Sequence, residues 1–230
     1  MIRTFLFLLL SMPILTFSQI APEINGTIDE LNFSLNKSRD IIAEEVDGSP
    51  YLNEAFVPAK ISNITKTQLI RFNVVENRIE VQVDDEKIKY LSLTQNYLIK
   101  LMDASQKEYV TASYIDEDGK TSTTFFEKIY ADDKFRLYKK EGIKYIPRKK
   151  AASSYEQDVP ARLHRLKDDY YTTDFLNSTQ KLIKVPEKKK NLAGFFGNKS
   201  KEIGKLMKKE KLKLDKGEDL ISILKIYFQD

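Results

Sequence analysis

The sequence predicts a mainly β protein of the α+β class. It has an antiparallel, strongly curved sheet, or a partial barrel or sandwich, of about eight strands, followed by two or three short C-terminal helices. Three observations predict this. Between about Tyr51 and Tyr171 apolar residues recur with a period of two, pairs rich in Asp, Asn and Gly separate the runs, and no helical segment of 10–15 residues intervenes. The last of these argues against a parallel α/β sheet, and alternation of this kind solvates one face of an antiparallel sheet while the other is buried.

The N-terminus, MIRTFLFLLLSMPILTFSQ, reads as a signal peptide over residues 1–18. Arg3 supplies the positive start, the run from Phe5 to Phe17 is apolar apart from Ser11 and Thr16, and Thr16 with Ser18 gives the small-residue pattern for cleavage before Gln19. The run is shorter than the roughly 20 residues that span a bilayer, and no later stretch reaches that length. The expectation is a protein exported to the periplasm or beyond, and not transmembrane after leader cleavage. Sequons at Asn25, Asn32, Asn36, Asn63, Asn177 and Asn198 arise readily in a chain rich in Asn and Lys.

Residues 19–47 form a polar lead-in with one run, Asp40 to Val46, that suits a helical turn or an added strand. Ser49-Pro50 then marks a turn, because the residue before proline avoids the helical region. The β domain is expected over residues 48–185. Ile70, Phe72 and Val74 alternate with Arg71 and Asn73. Ile79, Val81 and Val83 alternate with Glu80 and Gln82, with Glu76-Asn77 as the turn between. Further runs cover residues 87–91, 97–102, 109–115, 123–130, 135–138 and 143–146. Asp118-Gly119, Asp132-Asp133 and Glu141-Gly142 separate the later ones as hairpin turns, and residues 57–150 are expected to form one meander. Phe125-Phe126 and Tyr170-Tyr171 each put one ring on either face of an extended segment.

Residues 186–230 are expected to be a basic helical segment docked on the β domain, after a short apolar strand from Leu182 to Val185. A first helix is expected from Pro186 carrying Leu192, Phe195 and Phe196. A second runs from Asn198 to about Lys209 with Ile203, Leu206 and Met207 on one face. A third is capped by Asp215, with Glu218 completing the capping box and Leu220, Ile223, Leu224 and Tyr227 as its stripe. Each is short and one-faced, so it gains stability only by docking.

Composition excludes much chemistry. With no Cys there are no disulfides, thiol nucleophiles or thiolate metal sites, and a single His argues against zinc or haem. His164, with Ser153 and Asp168 or Asp169, completes a triad only on paper, because no Gly-x-Ser-x-Gly elbow accompanies it. Asp116-Glu117-Asp118-Gly119 lacks the spaced acceptors and closing Glu of a calcium loop. Asp84-Asp85, Asp132-Asp133 and Asp168-Asp169 fit turns, where Asp bonds its own backbone. No glycine-rich phosphate loop is present. The reading assigns no catalytic, cofactor-binding or metal residue, and no cofactor.

Charge is divided unevenly. Residues 181–230 hold 14 Lys against 7 acids, whereas residues 19–180 hold 23 basic residues against 27 acids. Lys188, Lys189, Lys190, Lys208 and Lys209 are therefore the candidate contacts to an anionic surface, beside the plainer reading that lysines solvate the outside of docked helices. No strand motif mixes aromatic and basic residues in the manner of nucleic-acid recognition, so no nucleic acid is expected.

Several stretches carry a resemblance: Gly48-Ser49-Pro50-Tyr51-Leu52-Asn53-Glu54-Ala55-Phe56, Arg71-Phe72-Asn73, Pro160-Ala161-Arg162 leading to Asp168-Asp169-Tyr170-Tyr171, and Leu212-Lys213-Leu214 with Glu218-Asp219-Leu220. On these the chain resembles a group of small, uncharacterised secreted proteins of Bacteroidota, over most of residues 48–228. The resemblance implies a β-rich fold with a basic helical end and an exported location, and brings no site residue. The expected function is a non-enzymatic cell-envelope protein, a structural or binding module whose partner is an envelope protein or polymer, with peripheral contact to anionic lipid. The alternative is a periplasmic carrier or sensor of an apolar or lipid-like ligand.

Overall fold

The computed structural model describes residues 46–84, 87–116, 118–151, 156–174 and 179–228. The expected leader, its cleavage site and nearly all of the polar lead-in lie outside the described residues, as do Ser153, Asp85, Glu117 and Asn177.

The protein is mostly β. Ten strands form one sheet: β1 (Val57–Ile61), β2 (Gln68–Asn73), β3 (Arg78–Gln82), β4 (Ile88–Tyr90), β5 (Leu98–Leu101), β6 (Glu108–Ile115), β7 (Thr121–Ala131), β8 (Arg136–Lys140), β11 (Asp169–Asp174) and β12 (Thr179–Lys184). β9 (Ile143–Ile146) and β10 (Arg162–Arg165) make a separate pair. The eight expected runs correspond to β2 through β9. They do not form one meander, however. The order across the sheet is β12-β11-β8-β7-β6-β5-β1-β2-β3-β4, so β5 returns to the free side of β1, and β9 leaves the sheet to pair with β10.

At the far end the sheet closes on itself. β12 pairs in parallel with β6, Leu182 opposite Tyr114, so that β6, β7, β8, β11 and β12 form a five-stranded ring. Its interior holds Tyr114, Phe126, Tyr138, Tyr171 and Leu182. The ring centroids of Phe126 and Tyr171 are 5.1 Å apart and those of Tyr114 and Tyr171 5.3 Å, in edge-on arrangements that suit aromatic quadrupoles. The β1–β5 half has its own core, built from Ile70, Phe72, Ile79, Val81, Ile99 and their neighbours. Phe125 belongs to that core and Phe126 to the ring, as strand alternation requires.

Two departures concern β2 and β3. Val83, expected in the core, is 39% exposed, because β3 ends at Gln82 and the chain turns there. Asn73 and Glu80, expected to face water, are buried. The segment after Gly48 covers their face: Leu52 N–H donates to the Phe72 carbonyl and Val74 N–H to that of Pro50. Asn73 then accepts from Glu76 N–H, and Arg71 pairs with Glu80. Gly48 has a positive φ of 95°, and a Cβ there would stand 3.0 Å from the Leu163 carbonyl oxygen, so a side chain is excluded twice over. Asp47, at the end of the lead-in, pairs beside Arg162 as an added strand position.

Three helices pack on the outside of the ring: α1 (Leu192–Phe196), α2 (Ser200–Lys209) and α3 (Gly217–Tyr227). They bury Phe195, Phe196, Ile203, Met207, Leu220, Ile223 and Leu224 against Phe135, Leu137 and Val185. Leu137 and Tyr138 alternate between the outer and inner clusters, and so do Tyr170 and Tyr171. Gly217 permits the close approach of α3, since a Cβ there would lie 3.2 Å from Ile129. Three helix details differ from expectation. The first helix begins at Leu192, well after Pro186. Leu206 is only half-buried, with Ile203 and Met207 taking the inner positions. The N-cap of α3 is Lys216, with no side-chain cap bond; Asp215 falls one residue too early, and Asp219 instead accepts from Lys213 N–H at 2.9 Å.

Candidate functional site

The lysines of the C-terminal segment are brought together by helix docking. A cleft of about 610 Å³ opens where the start of β11 and the end of β12 meet the end of α2 and the loop to α3. Its lysines come from separate stretches of chain: Lys167 precedes β11, Lys188 and Lys189 follow β12, Lys208 ends α2, and Lys211 and Lys213 lie in the connection to α3. Val185, Met207, Leu212 and Leu214 contribute apolar lining, with the Tyr170 ring beside them.

The loop after α2 is sharply shaped. Leu212 N–H donates to the Met207 carbonyl at 2.9 Å, the long-range bond of a Schellman helix end, and Lys211 occupies the left-handed position with φ of 57°. Glycine is the usual residue there. The lysine keeps its charge at the mouth of the cleft at a cost of about 1 kcal/mol of backbone strain.

Three acids also line the cleft: Asp168, Glu187 and Asp215. Two are engaged elsewhere. Glu187 accepts from Lys184 at 3.0 Å, and that bond holds its carboxyl below the usual range. Asp168 lies 3.7 Å from Lys139. Burial alone would lower the pKa of Lys184, but its bonds to Asp169 and Glu187 raise it above the ordinary lysine range. The Tyr170 phenol is raised, first by burial and then by the charge of Asp168. Among the described residues Lys189, Lys208, Lys211 and Lys213 make no side-chain ion pair, so positive charge is in excess.

Behind Asp168 lies a compact ionic network. Lys139 contacts Glu127 at 2.7 Å and Glu141 at 3.3 Å, Lys107 contacts Glu127 at 3.1 Å, and Arg165 contacts Glu141 at 2.8 Å. Burial disfavours the Lys139 ammonium, but the Glu127 bond and the charges of Glu141 and Asp168 outweigh it and raise its pKa. The network joins β7, β8 and β10 to the strand start at β11. Among the described residues Glu141 Oε2 is buried within it without a hydrogen-bond partner.

Of the five candidate lysines, Lys188, Lys189 and Lys208 share the cleft. Lys190 lines a shallower adjoining depression with Lys184 and Asn191, and Lys209 pairs with Glu210 at 3.4 Å outside it. Lys211 and Lys213 belong to the same basic run in the sequence without being singled out as contacts, and Lys167 carries no sequence signal; tertiary docking brings all three to the cleft. His164 is exposed on β10, opposite Lys144. Asp169 is paired with Lys184 at 2.9 Å. Asp116 accepts from the N–H groups of Asp118 and Lys120 and from the Ser122 hydroxyl, so its oxygens serve the β6–β7 turn. Among the described residues no group of three or more His, Cys, Asp and Glu is placed to hold a metal ion, and no helix is long and apolar enough to cross a membrane.

No family model, curated protein or solved structure matches the chain. The cleft is therefore read on its own chemistry.

Proposed function

We propose that this chain is a non-enzymatic, exported cell-envelope module, in which the sheet is a scaffold and the docked basic segment makes peripheral contact with an anionic partner. The carrying observation is the cleft: six lysines from separate stretches converge on it against three acids, two of which already have partners. Such a surface attracts anions over several ångströms and is sensitive to salt. The exported location rests on the leader pattern of residues 1–18.

The packed ring supports a scaffold over a carrier with its ligand inside, because Phe126 is wholly buried among Tyr114, Tyr138 and Tyr171. The carboxylates of Glu127 and Glu141 are tied to ammonium and guanidinium groups, which supports a structural part for them. Co-sedimentation with phosphatidylglycerol vesicles tests the proposal. The expected result is association at low salt that fades at high salt and is abolished by reversing Lys188, Lys189, Lys208 and Lys209 to Glu, with unchanged thermal stability. Failure of the native chain to associate with any anionic vesicle overturns the surface contact.

A further inference from the structure

We infer that the cleft is a site for one phosphate monoester group, carried by a soluble molecule or at the head of a lipid. The inference rests on the anionic contact proposed above and names its chemistry.

The charge comes first. Among the described residues Lys189, Lys208, Lys211 and Lys213 lack ion pairs, and of the lining acids Asp215 alone lacks one. A surplus of that size fits a group with more than one negative charge. A phosphate monoester carries about −1.5 to −2 at neutral pH, whereas a carboxylate or a phosphodiester carries one. The residue type agrees. All the cations of the cleft are lysines and none is an arginine. Lysine meets phosphate as a compact, adjustable point charge, while arginine offers the planar fork that matches a carboxylate.

Geometry supplies the second argument. The carbonyls at the end of α2 account for a cation at Lys208, as helix ends generally attract one. They do not account for Lys188 and Lys189, which reach the cleft from beyond β12. Val185, Met207 and Leu214 are almost completely buried at the cleft, so its back wall is of low dielectric and focuses the field of the lysines into the opening. The volume of about 610 Å³ falls within the range of small-molecule sites, about 300–1,000 Å³, and leaves room for the glycerol or sugar that bears the phosphate.

The test uses the full chain with glycerol 3-phosphate, followed by calorimetry, and with phosphatidylcholine vesicles containing either phosphatidic acid or phosphatidylglycerol. Expected is one-to-one binding of glycerol 3-phosphate that Lys208→Glu with Lys211→Glu weakens about tenfold or more. Lys201→Glu with Lys205→Glu, the same charge change on exposed positions of α2 outside the cleft, should leave it within about twofold. Lys188→Gln with Lys189→Gln, on the opposite wall, should weaken it independently. Preference for phosphatidic acid vesicles, competed by glycerol 3-phosphate, identifies a lipid source. Binding of glycerol 3-phosphate without vesicle association identifies a soluble source and removes the surface contact. Equal loss in the cleft and control variants overturns the inference. So does equal retention on both vesicles without glycerol 3-phosphate binding, which leaves the surface contact standing. Absence of all binding overturns both.

Discussion

Arg71 places its Nη2 2.6 Å from Glu80 Oε2, and its guanidinium carbon sits 3.6 Å above the centre of the Tyr51 ring. Glu80 is 3% exposed, so this pair is what allows a carboxylate to lie within the covered face of β3. Removing one partner of such a pair leaves an uncompensated buried charge, which costs about 3–5 kcal/mol. Arg71→Met should lower stability by an amount in that range. Arg71→Lys should recover only part of the loss, because lysine supplies a charge without the flat stack on Tyr51. Urea melts rank the variants, and an unchanged midpoint for Arg71→Met would mean that Glu80 does not need its partner.

The register of β3 gives a second prediction. Val81 is wholly buried, Gln82 is half-buried and Val83 is outside the strand. Asp at position 81 should cost several kcal/mol, on the order of 3 or more, while Asp at 82 or 83 should change stability by less than about 1 kcal/mol. Loss at 83 comparable to that at 81 would place the strand end later than Gln82.

A third concerns the helices. A chain ending at Val185 uncovers Phe135, Leu137 and Val185 on the outside of the ring. It should aggregate or bind hydrophobic dyes, whereas the intact chain should be monodisperse. Size-exclusion chromatography with light scattering measures this, and a soluble, cooperatively folded truncated chain would show that the helices are dispensable to the ring.

Dependence on pH follows from the ionic groups. The Lys139 pKa is raised in the folded state, so its pairing contributes stability that is complete below the unfolded lysine value, about 10.4, and is lost as pH climbs through the higher folded value. Glu108, bonded to Lys128, and Glu187, bonded to Lys184, are lowered. Their contributions are present above the unfolded value of about 4.3 and are lost as pH falls through the folded values. Stability should be level from about pH 5 to 10 and decline at both ends. Lys139→Arg, which does not titrate there, should flatten the alkaline decline in melts at stepped pH.

The last prediction uses Lys211. Its left-handed backbone, with φ of 57°, should be relieved by Lys211→Gly, raising stability by about 0.5–1 kcal/mol. The same change removes a cleft lysine, so thermal stability and anion binding should move in opposite directions. Parallel movement would detach the strain from the site.

Strand positions were readable wherever one face met water and the other did not, as in Ile70, Phe72, Ile79 and Val81. β1 escaped notice because Pro58 and Ala59 blur its alternation, and β10 because Arg162, His164 and Arg165 leave it with a single apolar residue. Asn73 and Glu80 were placed on the wrong side because period two reports alternation and not what later covers each face. The cleft was half legible. Lys188, Lys189 and Lys208 stood out as clustered charge, but which lysines meet depends on how α2 lies against β12, a relation between distant segments that local pattern does not carry.

The parallel contact of Leu182 with Tyr114 also orders events in time. A chain emerging N-terminus first can pair β1 to β8 from hairpins and one short return, yet the end of β6 around Tyr114, beyond its pairing with β5, waits for a strand near the end of the sequence. Until then Tyr114 and Phe126 lack neighbours from β11 and β12, and the end of β6 beyond Val110, past its pairing with β5, presents a short open edge to other chains. Closure of the ring is thus the late and slow step of assembly, reached only after a long loop has been ordered. A nascent or stalled chain lacking its C-terminal third is the form of this protein most exposed to mispairing and most in need of a holding chaperone.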